Sequence, residues 1–205
     1  MKVDAQEMWR AVKNASLFSR EKTKDGPTLN LGECLLHAKT VIRDGYAVGV
    51  VDVVAALDLI SVSTTVDLKE PVPEGGVFLS SKEAKDLEKL LKDQEGDVEL
   101  DLSLGSPEAK EPEFWEELET IYESIGRYPT SVPFFDGNPE LFTQLSRLEP
   151  KGEWPLSWMP FRHEGDLCLA YRYGPKTVGV LVPLDRDDEL FIYDYGAGLW
   201  LAEGK

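Results

Sequence analysis

Apolar positions in "SSKEAKDLEKLLKDQ", residues 80–94, recur at helical intervals: Ala84, Leu87, Leu90 and Leu91. At ~100° per residue, Lys82, Lys85, Lys89 and Lys92 fall within an arc of about 80° on the other side. The pattern predicts a helix with one apolar face and an unbroken lysine ridge. Ser80 or Ser81 is the expected N-cap, with Glu83 as capping-box partner. Residues 5–19, "AQEMWRAVKNASLFS", predict a second helix, in which Met8, Trp9, Val12, Ala15 and Phe18 share a broad face. Arg10, Lys13 and Arg20 cluster beside that face, and "TKDGPT" ends the pattern.

The period then changes. "TLNLGECLLHAKTVI" and "YAVGVVDVVAALDLISVSTTV" are rich in β-branched residues and flank the turn signal "RDGY", which predicts strands joined by a hairpin. Within the second run, "VVAALDLI" also fits a helix. "VFL" predicts a short strand leading into the lysine-ridged helix. "DVELDLSL" alternates, with Val98, Leu100, Leu102 and Leu104 on one side, and predicts a half-buried strand after it. "GSPEAKEPEF" shifts the composition and marks a candidate boundary, giving units 1–104 and 105–205. Beyond it, "PEFWEELETIYESIG" and "NPELFTQLSRLEP" read as helices, the second starting at Asn138 with Pro139 in its first turn. "LSWMPFRH", "DLCLAYRY" and "TVGVLVPL" read as closing strands. The fold class expected is α+β.

Charge changes this picture. The 205 residues carry a net charge of −16, which argues against nucleic acid as an average, yet an average hides a segregated surface. The lysine ridge is where that segregation would lie. Cys34 and Cys168 are far apart and form no CxxC pair, so a disulfide framework is not expected. With His37 and His163 they make four conceivable zinc ligands, but each thiol lies in an apolar run, where a small buried cysteine is the usual occupant. No metal or other cofactor is expected. Asp185, Asp187 and Asp188 read as a solvated turn, and "WPLSWMPF" reads as core more readily than as a partner groove. No Walker, Gly-x-Ser-x-Gly or dinucleotide motif is present, so an enzyme is the least supported class. No apolar run approaches the ~20 residues of a membrane span, and the first residues lack a signal-peptide pattern, so a cytoplasmic location is expected.

Several segments together resemble the bacterial β-type DNA sliding clamp, in a shortened, phage-like form. "AVKNASLFSREKTKDGPTLNLGECLLHA" is similar to the first clamp helix and its turn into the strands, and "DGYAVGVVDVVAALDLI" to the next strand pair. "VPEGGVFLSSKEAKDLEKLLKDQEGDVELDL" resembles the strand, helix and strand that follow. "IGRYPTSVPFFDGNPELFTQL" is similar to a Gly-Arg-Phe-Pro segment, and "TVGVLVPLDR" to the closing strand. The chain departs from the family in its length and in an acidic, Trp-containing stretch at 105–127.

The resemblance implies two clamp-like domains, the second abbreviated, with antiparallel sheets outside and helices on the inner face. It implies a non-enzymatic processivity factor that embraces duplex DNA without reading its sequence. Arg10, Lys13, Arg20, Lys82, Lys85, Lys89 and Lys92 would touch phosphates. A hydrophobic pocket at Leu181, Val182, Pro183 and Leu184 would tether a DNA polymerase and other clamp-binding proteins. Six domains make a ring, so a homo-oligomer of three chains is implied. A small acidic binding module, such as an immunity protein or a DNA mimic, suits the composition as an alternative. In a mimic the lysines would be scattered or paired, and in a clamp they would stand together.

Overall fold

The computed structural model describes residues 1–18, 33–57, 60–69, 75–101, 106–107, 120–125, 127, 139–149, 157–174 and 176–182. The elements run β1 (Lys2–Asp4), α1 (Ala5–Phe18), β2 (Glu33–Arg43), β3 (Tyr46–Leu57), β4 (Ile60–Asp67), β5 (Gly75–Ser80), α2 (Ser81–Lys92), β6 (Asp97–Glu99) and β7 (Ser106–Pro107). Then come α3 (Pro139–Leu145), β8 (Ser157–His163), β9 (Asp166–Arg172) and β10 (Thr177–Leu181). A further helical segment spans 120–124.

Strands win in residues 33–57 and 60–67 because β-branched side chains meet partners on both sides. β3 pairs with β2 from Tyr46 to Val54 and with β4 from Val50 to Leu57. The helical alternative for "VVAALDLI" is thereby corrected, since Val53 to Leu57 belong to a central strand. The β2–β3 hairpin turns on Asp44 (φ 53°) and Gly45 (φ 82°), the double positive φ of a type I′ turn, closed by the Arg43↔Tyr46 pair. Glu164 and Gly165 do the same between β8 and β9.

Eight strands form one sheet, in the order β7-β5-β2-β3-β4-β10-β9-β8, and every pair is antiparallel. Its middle seam joins distant parts of the chain, as Thr177–Leu181 of β10 lie along Ile60–Thr64 of β4. The sheet therefore runs through the composition shift near residue 105. β1 and β6 form a separate two-stranded ladder that ties the start of the chain to the strand after α2. "DVELDLSL" contributes only Asp97–Glu99 to a strand, with Leu100 buried behind it and Leu102 and Leu104 outside the described residues.

Alternation gives the sheet two apolar faces. On one, Cys34, Leu36, Val51, Val53, Ile60, Val62, Tyr171 and Leu181 meet Met8, Val12, Ala15 and Phe18 of α1, Ala84 and Leu91 of α2, and Leu145 of α3. On the other, Phe161, Cys168, Ala170 and Val180 meet Ile121, Tyr122 and Ile125, and Leu35, Val54 and Phe78 also meet Tyr122. The expected inner helical layer is present, and a short helical segment adds to the opposite face. Two polar contacts fix that segment. The Tyr122 hydroxyl lies 3.2 Å from Ser61 Oγ, and Ser124 Oγ lies 3.0 Å from His163 Nδ1. Burial pushes the Tyr122 phenol well above its usual range.

Candidate nucleic-acid interface

α2 begins as its sequence predicts. Ser80 Oγ accepts from the Glu83 amide at 3.3 Å, and the Glu83 carboxylate accepts from the Ser80 amide at 2.8 Å. The Ser80 hydroxyl also donates to that carboxylate at 2.7 Å. These bonds hold the Glu83 carboxyl below its ordinary range. The cap sets the helix's rotation about its axis, with Ala84 and Leu91 buried and Leu87 half-buried. Lys82, Lys85, Lys89 and Lys92 all stand exposed. Lys89 lies 3.2 Å from Asp86, the Lys82 charge acts favourably on the neighbouring Glu83 carboxylate, and Lys85 and Lys92 form no close ion pair among the described residues. One expectation is corrected here. Leu90 is 59% exposed, because it lies about 100° from Leu91 around the helix, off the narrow seam that reaches the core.

α1 lies against α2. Gln6 Nε2 donates to the carbonyls of Lys92 (3.2 Å) and Gln94 (2.7 Å), so α1 satisfies acceptors at the C-terminal end of α2. Arg10 is exposed on α1. Lys13 is engaged instead. Its Nζ lies 3.0 Å from Glu149 Oε1 and 4.5 Å from the centre of the Trp9 ring. Arg20 lies outside the described residues. Among the described residues five of the expected cations are thus exposed on two packed helices, Arg10 on α1 and the four ridge lysines on α2. α3, "PELFTQL", packs on the same sheet face and carries no Lys or Arg.

The strand expected to line a partner pocket is described as far as Val182. Leu181 is fully buried in the core on the helical face of the sheet, and Val182 is half-buried beside Phe161 and Val180 on the opposite face. Pro183 and Leu184 lie outside the described residues. Both cysteines are free and buried, and burial pushes the Cys34 thiol up to about 12 and that of Cys168 up to about 11. Cys34 and His37 are three apart on β2, hence on opposite faces of the sheet, and no cluster of metal-ligand type occurs among the described residues. No helix among them is long and apolar enough to cross a membrane.

Sequence reasoning missed the residues that fix these helices. Asn14, wholly buried, exchanges two hydrogen bonds with the backbone of Glu149, at 3.0 and 2.8 Å. Lys176, just before β10, lies 2.9 Å from Glu7 of α1 and 3.1 Å from Asp67 of β4, and Arg43 holds the other Asp67 oxygen at 3.1 Å. Burial raises the Asp67 carboxyl, but Lys176 and Arg43 outweigh it and leave the group below its ordinary range. For Lys176 burial works downward and is outweighed by Glu7 and Asp67, so the ammonium titrates above its usual range. A buried Asn in a helical pattern was the one visible signal, since such a residue needs polar partners.

No protein-family model matches the sequence, and no curated protein matches it. Solved structures do match the fold. The DNA polymerase III subunit beta from Pseudomonas aeruginosa superposes with TM-score 0.54 at 9% identity, over 96% of this chain and 67% of that one. The beta subunit from the DNA polymerase of Streptococcus pyogenes gives TM-score 0.54 at 8% identity, over 91% and 65%. The DNA polymerase sliding clamp from Caulobacter crescentus gives 0.51 at 13%, over 91% and 65%. The chain spans about two thirds of the length of each. Helices on one face of an antiparallel sheet, two basic-edged helices packed side by side, and these superpositions agree: the chain has the sliding-clamp fold.

Proposed function

We propose that the protein is a DNA sliding clamp, a non-enzymatic processivity factor whose helical face lies along duplex DNA. The observation that carries this reading is the exposed cationic ridge on α2, with Arg10 exposed on the helix packed against it, in a chain of net charge −16. Five side chains of the lysine and arginine type at helical spacing meet phosphates without reading base edges, which permits movement along the duplex. Acidic surface elsewhere disfavours binding by other faces. A DNA mimic would scatter or pair its lysines; here the ridge is continuous, and among the described residues Lys89 alone of its four members forms a close ion pair.

In this reading the chain supplies two clamp-like units, 1–104 and 105–205, that share one sheet. Three copies of the 22.9 kDa chain, about 69 kDa, would supply six units for a ring. A DNA polymerase and other clamp-binding proteins would be tethered near Val182, Pro183 and Leu184, at the end of β10, where Leu181 anchors the strand in the core.

The test is replacement of Lys82, Lys85, Lys89 and Lys92 by Glu. Retention on random-sequence duplex DNA at low salt is expected to be abolished while the fold, read by circular dichroism, is kept. Unchanged retention by the substituted protein sinks the reading.

A further inference from the structure

Among the basic residues expected on the helical face, Lys13 of α1 is engaged within the protein. It follows the exposed Arg10 by three residues, about 60° away around α1, yet its ammonium is held by the Glu149 carboxylate at 3.0 Å, with side chains only 28% and 19% exposed. The hold is built in two parts. Asn14, the next residue, fixes the Glu149 main chain through both of its peptide groups, so the carboxylate is delivered to Lys13 by a rigid backbone. The Trp9 ring then lies beneath the ammonium and limits where it can go.

We infer that Glu149 is an internal phosphate surrogate, a carboxylate that occupies Lys13 in place of a DNA phosphate and caps how tightly this helical face holds duplex DNA. The inference rests on the DNA-binding reading above. The chemistry is that of one anion substituting for another: a lysine ammonium is a compact point charge that donates to a carboxylate or a phosphate oxygen alike. A face that must slide gains from moderate affinity, and an immobilised glutamate removes one contact without removing the lysine. Because the Asn14 bonds go to the backbone of residue 149, a change of its side chain leaves them in place.

The experiment measures binding to a random-sequence duplex across a salt series for the parent, Glu149→Gln, and Glu149→Gln with Lys13→Met. Each phosphate contact changes log K by about −0.9 per log unit of salt, so one regained contact is worth roughly 8-fold at 0.1 M and steepens the slope by about 0.9. Glu149→Gln is expected to bind about 8-fold tighter, and Lys13→Met in that background to remove both the gain and the steeper slope. A gain that survives Lys13→Met reflects only a lost negative charge and overturns the inference. So does no gain in a parent that binds DNA through the α2 ridge, which leaves the DNA-binding reading intact. If neither the parent nor Glu149→Gln binds duplex at low salt, the DNA-binding reading falls and the inference with it.

Discussion

Gly179 in β10 lies opposite Tyr171 in β9, and the Tyr171 ring crosses directly over it. A Cβ at position 179 would fall within that ring, against its Cζ and hydroxyl. Tyr171 is fully buried, donates its hydroxyl to the Ser61 carbonyl of β4 at 3.1 Å, and packs against Trp158 with ring centres 5.6 Å apart. Gly179→Ala therefore forces the ring away. Overpacking costs ~1–3 kcal/mol, the displaced hydroxyl loses about 1 kcal/mol of hydrogen bond, and the ring contact with Trp158 loses ~0.5–1.5 kcal/mol. The expected destabilisation is about 3–5 kcal/mol, a large share of the ~5–15 kcal/mol of a typical domain. Urea unfolding followed by tryptophan fluorescence reads it as a shift of midpoint at unchanged m-value. In a Tyr171→Leu background the cost of Gly179→Ala should fall below about 1.5 kcal/mol, since the obstructing ring is gone. A Gly179→Ala protein within ~0.5 kcal/mol of the parent, or an equal cost in both backgrounds, refutes the reasoning.

Lys176→Met removes the tie from β10 to α1 and β4 and is expected to cost about 1 kcal/mol, given the partial exposure of all three groups. The Asp67 carboxyl is depressed, so its contribution is full above the ordinary carboxylate range and is lost as pH falls through that range. Lys176 is raised, so its contribution is full below the ordinary lysine range of about 10.4 and is lost as pH rises past it. The stability gap between the parent and Lys176→Met is thus expected to be flat from about pH 5 to pH 10 and to close on both sides, as followed by thermal unfolding. Cys34 and Cys168 are buried with raised thiols, so thiol reagents at pH 8 are expected to modify them only at the rate of unfolding, as timed by mass spectrometry with and without urea.

What the sequence made legible was local. α2, its Ser80–Glu83 cap and its lysine ridge follow from period and capping chemistry within fifteen residues, and Asp44-Gly45 announces its own hairpin. β8, β9 and β10 were readable because β-branched and aromatic runs alternate with turn residues. What was hidden depends on partners far along the chain. β1 is three residues long and exists because β6 lies beside it, 95 residues on, so it leaves no periodic trace. The β4–β10 seam and the packing of Ile121 and Tyr122 on the opposite sheet face are equally non-local. The basic cluster of α1 was legible as a cluster, but spacing along one helix says nothing of Glu149, 136 residues away, which takes Lys13 out of it. The clamp resemblance, not any pattern, set Leu181 in a pocket, and an apolar strand end looks the same in sequence whether it lines a groove or fills a core; Leu181 is buried in the core.

The proposed function requires five exposed cations, Arg10 and the ridge lysines, to hold duplex DNA by its phosphates alone. The salt dependence of duplex affinity tests this most directly, measured by fluorescence anisotropy on two duplexes of unrelated sequence. Four to five phosphate contacts predict a slope of log K against log salt of about −4, a loss of ~10²–10³-fold between 50 and 200 mM, and equal affinity for the two sequences. Absence of binding at 50 mM salt, or a slope near zero, would contradict the account.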